Sequence, residues 1–379
     1  MMKKFQEKLK QLKDQNRFRS FRVADGIDLT SNDYLGMAQH PKLREHAIEF
    51  LKKSDSIGSG GSRLLRGHTP AHEALEEYAS YIFSAPKSVY FSSGYQANNS
   101  IFQALPTRHD TIIFDEFVHA SAREAIQNSP ARRIKARHND LVSFENALKE
   151  ATVSEREQIW IAVESVYSMD GDVAPLKALH DLAEIYNAIL IVDEAHGTGV
   201  MGPGGLGLSE DLIAEKGYEH LVVLHTCGKS LGVAGGLVCA SQDIIEMITN
   251  FARGFIYTTA PMPVQAYLVQ KSLELVVSDE GQARRNKLLK LSEKAHALFK
   301  AHGNIGGTHI VPILLGEDSQ AVRVAQALGE QGYDIRAIRP PTVPEGTARL
   351  RLSLSSALDE NILEKFAGDL EPHLNRKAA

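Results

Sequence analysis

The sequence is poor in several features that define particular classes of protein. Its 379 residues include only two cysteines, Cys227 and Cys239, which excludes a disulfide framework and favours a reducing cytosol. Its 42 basic and 47 acidic residues give a net charge of −5, so no basic excess indicates nucleic acid or an anionic membrane as a partner. No apolar run approaches the roughly 20 residues of a membrane span. Residues 1–19 are basic without an apolar core, which is not typical of a signal peptide, and we expect a cytoplasmic protein.

The chain does contain a series of short apolar segments separated by helical patterns. Near-continuous apolar strands are buried on both faces, which indicates a mostly parallel sheet covered by helices, an α/β fold. The helical spacing of leucines in residues 174–186 predicts one of the covering helices. The predicted strands are residues 88–91, 111–114, 159–163, 188–192, 221–224 and 236–239.

The pattern changes after Ser278. A strongly charged segment, residues 280–290, predicts a solvated helix, and the strands and helices that follow predict a second, smaller α/β domain. We place an N-terminal segment at residues 1–45, a large domain at 46–275 and a small C-terminal domain at 276–379. The elements predicted in the small domain are strands at 310–315, 334–338 and 349–354 and helices at 319–331 and from residue 360.

Two charged residues follow predicted strands at the positions that pyridoxal 5′-phosphate (PLP) chemistry requires. Asp193 ends the strand at 188–192, and Lys229 follows the strand at 221–224. The lysine amine can form an imine with the cofactor aldehyde, and the carboxylate can pair with the pyridine nitrogen. A charge pair at about 4 Å and an effective dielectric of 20 is worth roughly 4 kcal/mol, or about three pKa units. That is enough to keep the pyridine nitrogen protonated at neutral pH.

Each of these residues also has an ordinary interpretation. Asp193 alone is typical of a helix N-cap or of a metal-binding Walker B carboxylate. Lys229 could be a surface lysine, or it could end a P-loop, but a P-loop requires glycine at position 223, which is valine. Residues 202–207 match the letters of a dinucleotide fingerprint. They do not directly follow a strand and they include Pro203, so we interpret them as a loop.

Two further segments follow predicted strands and suit a planar, phosphate-bearing cofactor. Ser93, Gly94 and Tyr95 stand at the start of a predicted helix at 96–105, whose free amides favour an anion, although an ordinary capped helix is the alternative. His119 follows the strand at 111–114, where its ring could stack on a cofactor or simply be a partly exposed polar residue.

Two pairs of like residues are candidates for ligand binding. Arg349 and Arg351 alternate with leucines on a predicted strand, so they share one face, either as a carboxylate clamp or as an exposed pair. His68 and His72 are four residues apart, as in a metal pair. No third ligand stands at a suitable spacing, and we predict no metal.

As a set, these motifs resemble the α-oxoamine synthases, a family of fold type I PLP enzymes, from about Asp28 to the C-terminus. The resemblance implies a fold type I PLP-dependent transferase that works as a homodimer. It also implies decarboxylative condensation of an amino acid with an acyl thioester. The motifs that carry the resemblance are residues 31–36, 58–64, 93–98, 164–172, 193–207 and 226–232.

Within the family, residues 338–351 resemble members that use L-alanine and a pimeloyl thioester, carried by coenzyme A or by acyl carrier protein. Three alternatives stay open: another member of the family, which joins glycine to an acetyl thioester or uses a longer acyl chain, an aminotransferase, and a non-catalytic partner subunit. The last should lack Lys229 or Asp193, and both are present.

The resemblance also implies a role for individual residues. Lys229 corresponds to the lysine that binds the cofactor aldehyde, Asp193 to the partner of the ring nitrogen and His119 to the stacking ring. His196, with Ser168, corresponds to the groups near the ring hydroxyl and completes the catalytic set. The remaining implied contacts are Ser93, Gly94, Tyr95 and Thr226 for the phosphate and cofactor, Asn32 for the substrate, Arg351 for the amino acid carboxylate, and Thr259 for the phosphate in the neighbouring subunit.

Overall fold

The computed structural model describes residues 2–153, 158–303 and 306–374, which form two compact units. The first, here called the sheet unit, comprises Leu35–Tyr167 and Val173–Arg285. The second, here called the C-terminal unit, comprises Met1–Tyr34, Ser168–Asp172 and Asn286–Ala379. The C-terminal unit therefore contains residues from both the start and the end of the chain. The predicted boundaries at 45/46 and 275/276 describe a different division and stay a prediction.

Strands and helices alternate along most of the chain, as the sequence predicts. The strands are β1 (Ile27–Asp28), β2 (Lys87–Phe91), β3 (Thr111–Asp115), β4 (Arg132–Ala136), β5 (Ile159–Glu164), β6 (Ala188–Asp193), β7 (Leu221–Thr226), β8 (Gly236–Ala240), β9 (Ile310–Gly316), β10 (Tyr333–Asp334), β11 (Ala337–Ile338) and β12 (Ala348–Ser353). The helices are α1 (Met2–Asp14), α2 (Pro41–Lys53), α3 (Pro70–Ile82), α4 (Gly94–Ala104), α5 (Ala120–Asn128), α6 (Leu141–Val153), α7 (Leu176–Ile185), α8 (Glu210–Lys216), α9 (Gln242–Phe251), α10 (Arg253–Ile256), α11 (Pro263–Val276), α12 (Asp279–Phe299), α13 (Asp318–Glu330) and α14 (Glu360–Leu374), with a 3₁₀ helix at Lys300–His302. None of the helices described here is long and apolar enough to span a bilayer.

A seven-stranded sheet forms the centre of the sheet unit, in the order β2-β8-β7-β6-β5-β3-β4. Only β8 runs antiparallel to its neighbours, and the other neighbouring strands pair in parallel. Helices such as α4 and α7 pack against the sheet, so β5, β6 and β7 are buried almost throughout. The predicted mostly parallel sheet is confirmed, and the carboxyl ends of β5, β6 and β7 meet at one edge.

Helix α7 shows how the apolar spacing specifies a covering helix. Leu176, Leu179 and Ala183 lie on its buried face, while Ile185 near its end is exposed. The helix ends before Asn187, whose φ of 49° is the left-handed conformation that asparagine tolerates better than most residues. The helix predicted at 174–186 is confirmed with slightly narrower bounds.

Strand β4 is the element of the sheet that the sequence analysis does not predict. Its sequence, Arg132 to Ala136, contains three basic residues, and alternate side chains are exposed. It lies at the edge of the sheet, paired only with β3. Charged side chains on an edge strand prevent pairing with further strands, so this strand lacks the continuous apolar pattern of the interior.

The C-terminal unit contains a three-stranded antiparallel sheet in the order β11-β12-β9, and a short parallel pair, β1 with β10. The single strand predicted at 334–338 is wrong, because the chain makes two short strands there, β10 and β11, in different sheets. Every residue of β12 is buried, including Arg349 and Arg351, which are 4% and 8% exposed. The alternative of an exposed arginine pair is therefore wrong.

Candidate active site

Asp193 ends β6 with its carboxylate held by two N–H donors. Oδ1 accepts from the backbone of Ala195 at 2.9 Å, and Oδ2 accepts from the side-chain amide of Asn98 at 2.8 Å. Asp193 is buried, with 7% of its surface exposed, so these two donors fix the orientation of its carboxylate. Asn98 was not predicted as a site residue. A polar residue on the buried face of α4, beside Ala97 and Ile101, is the feature of the sequence that could have indicated it.

Lys229 lies directly after β7, in a tight turn beside His196. Its Nζ is 2.7 Å from Nε2 of His196, and His196 is buried. The N–H of Gly232 donates to the carbonyl of Lys229 at 2.8 Å and closes the turn. Gly232 has a φ of +63°, and a Cβ there would collide with the backbone of Ala38, so only glycine fits. The turn thus holds the amine of Lys229 next to an imidazole at the end of the sheet.

His119 is joined to Asp193 by a chain of hydrogen bonds. Its Nδ1 lies 2.8 Å from the hydroxyl of Ser121, which also accepts from the Asn98 amide at 3.0 Å. Although part of His119 is exposed, the surrounding protein lowers the pKa of its imidazole. The charge of Asp193 opposes that shift, and the charge of Lys229 adds to it. A neutral ring in this position suits stacking on a planar cofactor.

The N-terminus of α4 lies against the end of β7. Ser93 is the N-cap of α4, and its hydroxyl accepts from the backbone N–H of Gln96 at 3.1 Å. A Cβ at Gly94 would collide with the hydroxyl of Thr226, so a side chain is excluded where the helix meets the strand. Ser93, Gly94 and Thr226 are therefore brought together beside free helix amides, the arrangement that binds a phosphate.

Tyr95 and Thr259, which were predicted to contact the phosphate or the cofactor, are exposed rather than buried beside Asp193 and Lys229. Tyr95 is 45% exposed, and its hydroxyl donates to the carboxylate of Glu124. Thr259 is exposed in the segment that follows α10. Neither observation tests the implied roles, which stay predictions. The other groups of the sheet unit fit PLP: an amine for the aldehyde, a carboxylate for the pyridine nitrogen, and a glycine-lined helix N-terminus for the phosphate.

A second buried carboxylate, Glu194, organises the loop that follows Asp193. It accepts from the backbone N–H of Ser209 at 2.6 Å and from the hydroxyl of Ser165. Burial raises the pKa of Glu194, and these hydrogen bonds oppose the shift. A Cβ at Gly207 would collide with its carboxylate. Gly204 and Leu206 donate their backbone N–H groups to the carboxylate of Glu210, and the interpretation of residues 202–207 as a loop is confirmed.

We expect Glu194→Ala to lower the free energy of unfolding by about 2–4 kcal/mol, because it leaves buried donors without acceptors. Glu194→Gln keeps the shape of the side chain and one acceptor oxygen, so it should lower the free energy of unfolding by a smaller amount. Urea unfolding followed by circular dichroism measures both. The exposed Glu219 supplies the control, since Glu219→Ala should change the free energy by less than about 0.5 kcal/mol. Equal effects at positions 194 and 219 would contradict the prediction.

In the C-terminal unit, Arg351 lies among neutral partners. Its guanidinium donates to Asn32 Oδ1 at 3.1 Å, to the Ser353 hydroxyl at 2.7 Å and to the Ser168 carbonyl at 2.5 Å. The Tyr34 hydroxyl also donates to Asn32 Oδ1, at 2.9 Å. Among the residues described, no carboxylate forms an ion pair with Arg351. A buried guanidinium without a carboxylate suits an anionic ligand.

Arg349, two residues earlier on β12, has a different environment. Its guanidinium forms an ion pair with Asp170 and donates to the carbonyl of Thr347 at 3.0 Å. Its charge is therefore already neutralised. The structure distinguishes the two arginines that the sequence analysis treats as one clamp, and it leaves Arg351 as the candidate.

The histidine pair considered as a metal site is occupied by other contacts. His68 lies 3.0 Å from Arg63 and 3.1 Å from Glu73, and His72 lies 3.0 Å from the carbonyl of Pro261. These contacts give ring nitrogens of both imidazoles a partner without a metal. The prediction that the protein binds no metal stays a prediction.

The sequence model for aminotransferase class I and II matches residues 24–370, and the chain belongs to this family. The 8-amino-7-oxononanoate synthase of Herminiimonas arsenicoxydans is 40% identical over 335 residues, which are 87% of this chain and 85% of that protein. The one from Geobacter sulfurreducens is 39% identical over 373 residues, 94% of each protein. The resemblance to α-oxoamine synthases is confirmed.

Solved structures agree with this grouping. Serine palmitoyltransferase of Sphingomonas wittichii superposes with a TM-score of 0.88 at 26% identity, covering 97% of this chain and 96% of that one. A further serine palmitoyltransferase structure with the same TM-score contains PLP. The 8-amino-7-oxononanoate synthase of Francisella tularensis superposes with a TM-score of 0.78 at 26% identity, covering 92% and 98%. The predicted fold type I transferase fold is confirmed.

Proposed function

We propose that this protein is a PLP-dependent acyltransferase of biotin biosynthesis. It condenses L-alanine with a pimeloyl thioester and releases 8-amino-7-oxononanoate, carbon dioxide and the free thiol. The observation that carries the proposal is the meeting of the Lys229 amine, His196 and the Asp193 carboxylate at the ends of β6 and β7. Relatives about 40% identical over most of the chain support the choice of substrates.

PLP, when bound, supplies an electron-withdrawing ring that stabilises negative charge on the α-carbon of the amino acid. Asp193 would pair with the pyridine nitrogen, and Asn98 and the Ala195 N–H hold its carboxylate in place. The amine of Lys229 would hold the cofactor aldehyde and would also accept the α-proton of alanine. His196, 2.7 Å from that amine, fixes its position between these two tasks.

We assign the carboxylate of alanine to Arg351. Arg351→Ala should raise the KM for alanine by about 10–100-fold, because a charge-assisted hydrogen bond is worth about 1.5–3 kcal/mol. Arg351→Lys keeps the charge but loses the planar fork, so its effect should be intermediate. Steady-state kinetics at saturating thioester measures the change. Arg323→Ala, at an exposed position of α13, is the control, and an unchanged KM in Arg351→Ala would contradict the assignment.

The proposal is tested by titrating the purified holoenzyme with L-alanine and then glycine while recording the visible band of the cofactor. The methyl group of alanine in an apolar pocket is worth about 1–3 kcal/mol. A band that saturates at a concentration of alanine at least fivefold lower than that of glycine agrees with the proposal. Preference for glycine would make the protein a glycine acyltransferase instead. A colourless protein that PLP cannot reconstitute would indicate a non-catalytic subunit.

We also propose a cytoplasmic homodimer in which Thr259 contacts the phosphate of the neighbouring subunit. Large apolar side chains of the sheet unit are exposed, and a partner would cover such a surface: Ile57, Leu65 and Tyr257 are 68%, 81% and 73% exposed. Both cysteines are free, and burial raises the pKa of both thiols, which fits a reducing compartment. Light scattering coupled to gel filtration measures the mass, and cell fractionation measures the location. A monomer at micromolar concentration would contradict the homodimer.

A further inference from the structure

The carboxyl group of Glu164 has no part in the reaction proposed above, yet it lies beside Asp193. Glu164 is the last residue of β5, and it pairs in register with Asp193, the last residue of β6. Residues paired in this way point to the same face of a sheet. Both carboxyl groups line one small cavity of about 10 Å³, close to the minimum for a single water molecule. The cavity is otherwise lined by Asn98, Phe102, Val118, Ala122, Ala162, Val163 and Ile191.

The two carboxyl groups differ in the number of donors that they meet. Asp193 accepts from Asn98 and from Ala195. Glu164 is 2% exposed, and its Oε1 has no partner among the residues described. Two negative charges side by side in a cavity with apolar walls repel each other strongly. The proton is therefore expected on the carboxyl group with fewer donors, which is Glu164.

Burial and the neighbouring carboxylates also favour the neutral form of Glu164. Burial raises the pKa of Glu164 well above its usual range, and the negative charge of Asp193 adds to the shift. The charge of Lys229 and the nearby backbone N–H of His119 oppose it, while the charge of Asp115 again favours the neutral acid. Tyr167 also faces the group, and burial keeps this phenol neutral by raising its pKa.

We propose that Glu164 is a positioning residue that stays a neutral acid and leaves Asp193 as the ionised carboxylate of the pair. The inference rests on the role proposed above for Asp193. Its effect is indirect: Glu164 fills the space beside the Asp193 carboxylate, and because it carries no charge, Asp193 alone would place a negative charge next to the pyridine nitrogen. Glutamine, a neutral group of the same shape, should therefore replace it without loss, whereas alanine should not.

The test compares Glu164→Gln and Glu164→Ala with the exposed control Glu219→Gln. For each holoenzyme, the affinity for PLP and the pH midpoint of the visible band are measured. We expect Glu164→Gln to keep the affinity within about twofold and the pH midpoint unchanged. Glu164→Ala should bind PLP about tenfold more weakly, because it leaves an empty space beside the Asp193 carboxylate. If Glu164 were ionised, Glu164→Gln would lower the pH midpoint of the visible band by about one pH unit or more. A decrease of that size would overturn the proposal.

Infrared spectroscopy separates this inference from the proposed function. The difference spectrum between the unchanged protein and Glu164→Gln at neutral pH should contain the carbonyl stretch of a protonated carboxylic acid. The measurement needs no bound cofactor, so it reports on Glu164 even if the protein does not bind PLP. A difference spectrum with only the bands of an ionised carboxylate would overturn the proposal whatever the activity of the enzyme.

Discussion

Lys229→Ala is expected to lower kcat by at least about 10³-fold and to abolish the visible band that a lysine-bound cofactor gives. The reason is that, in the proposed mechanism, one amine would perform two tasks, holding the cofactor and removing the α-proton. Its neighbour His196 cannot replace it, because an imidazole does not form the same bond with an aldehyde. Lys229→Arg should be equally inactive, since guanidinium keeps the charge but is not deprotonated in proteins. Absorption spectra and single-turnover assays with alanine and both pimeloyl thioesters measure these effects.

Lys177 provides the matched control for this experiment. It lies on α7, where its exposed ammonium pairs with Glu215 at 2.7 Å. Lys177→Ala should leave kcat and the visible band unchanged. Near-normal turnover in Lys229→Ala, with Lys177→Ala also normal, would show that the reaction does not need Lys229. That result would contradict the proposed mechanism.

Asp193→Asn is expected to lower kcat by about 10²–10³-fold. A charge pair of roughly 4 kcal/mol between the carboxylate and the protonated pyridine nitrogen is lost, which corresponds to about three pKa units. The amide side chain keeps one oxygen for the Asn98 amide, so the fold should survive. The ring nitrogen then loses its proton, and the α-carbon loses its electron acceptor. The α-proton exchange rate of alanine in deuterated water should fall in parallel with kcat.

The exposed Asp211 is the control, because Asp211→Asn removes a carboxylate from α8 without touching the site. Thermal unfolding should show that Asp193→Asn is folded, so that a loss of rate is not a loss of structure. An Asp193→Asn enzyme with normal proton exchange would mean that the ring nitrogen needs no carboxylate at this position.

The order of elements could be predicted because buried strands have a simple composition. Residues of β5, β6 and β7 are apolar almost without interruption, since both faces of a parallel sheet are covered. Strand β4 escaped prediction because an edge strand carries charged residues. Residues 334–338 resemble one strand in sequence, but β10 ends at Asp334, β11 begins at Ala337, and the two strands belong to different sheets. A local pattern contains no information about the partner of a strand.

The same limit applies to the site. Asp193 and Lys229 could be predicted as site residues because each follows an apolar strand, and parallel strands place such residues at one edge. Asn98 and Glu164 were missed because their importance comes from neighbours that are distant in the sequence: the Asn98 amide reaches Asp193 across 95 residues.

The sequence by itself therefore determined the sheet, the lysine and aspartate at its edge, and the family to which their spacing belongs. The tertiary structure decided which similar residues differ in their neighbours. Arg349 forms an ion pair with Asp170, whereas Arg351 lies among neutral groups. Asp193 accepts from two donors, whereas Oε1 of Glu164 has no partner among the residues described. The electrostatic environment of a side chain depends on burial and on the few groups within hydrogen-bonding distance, and only the folded chain brings those groups together.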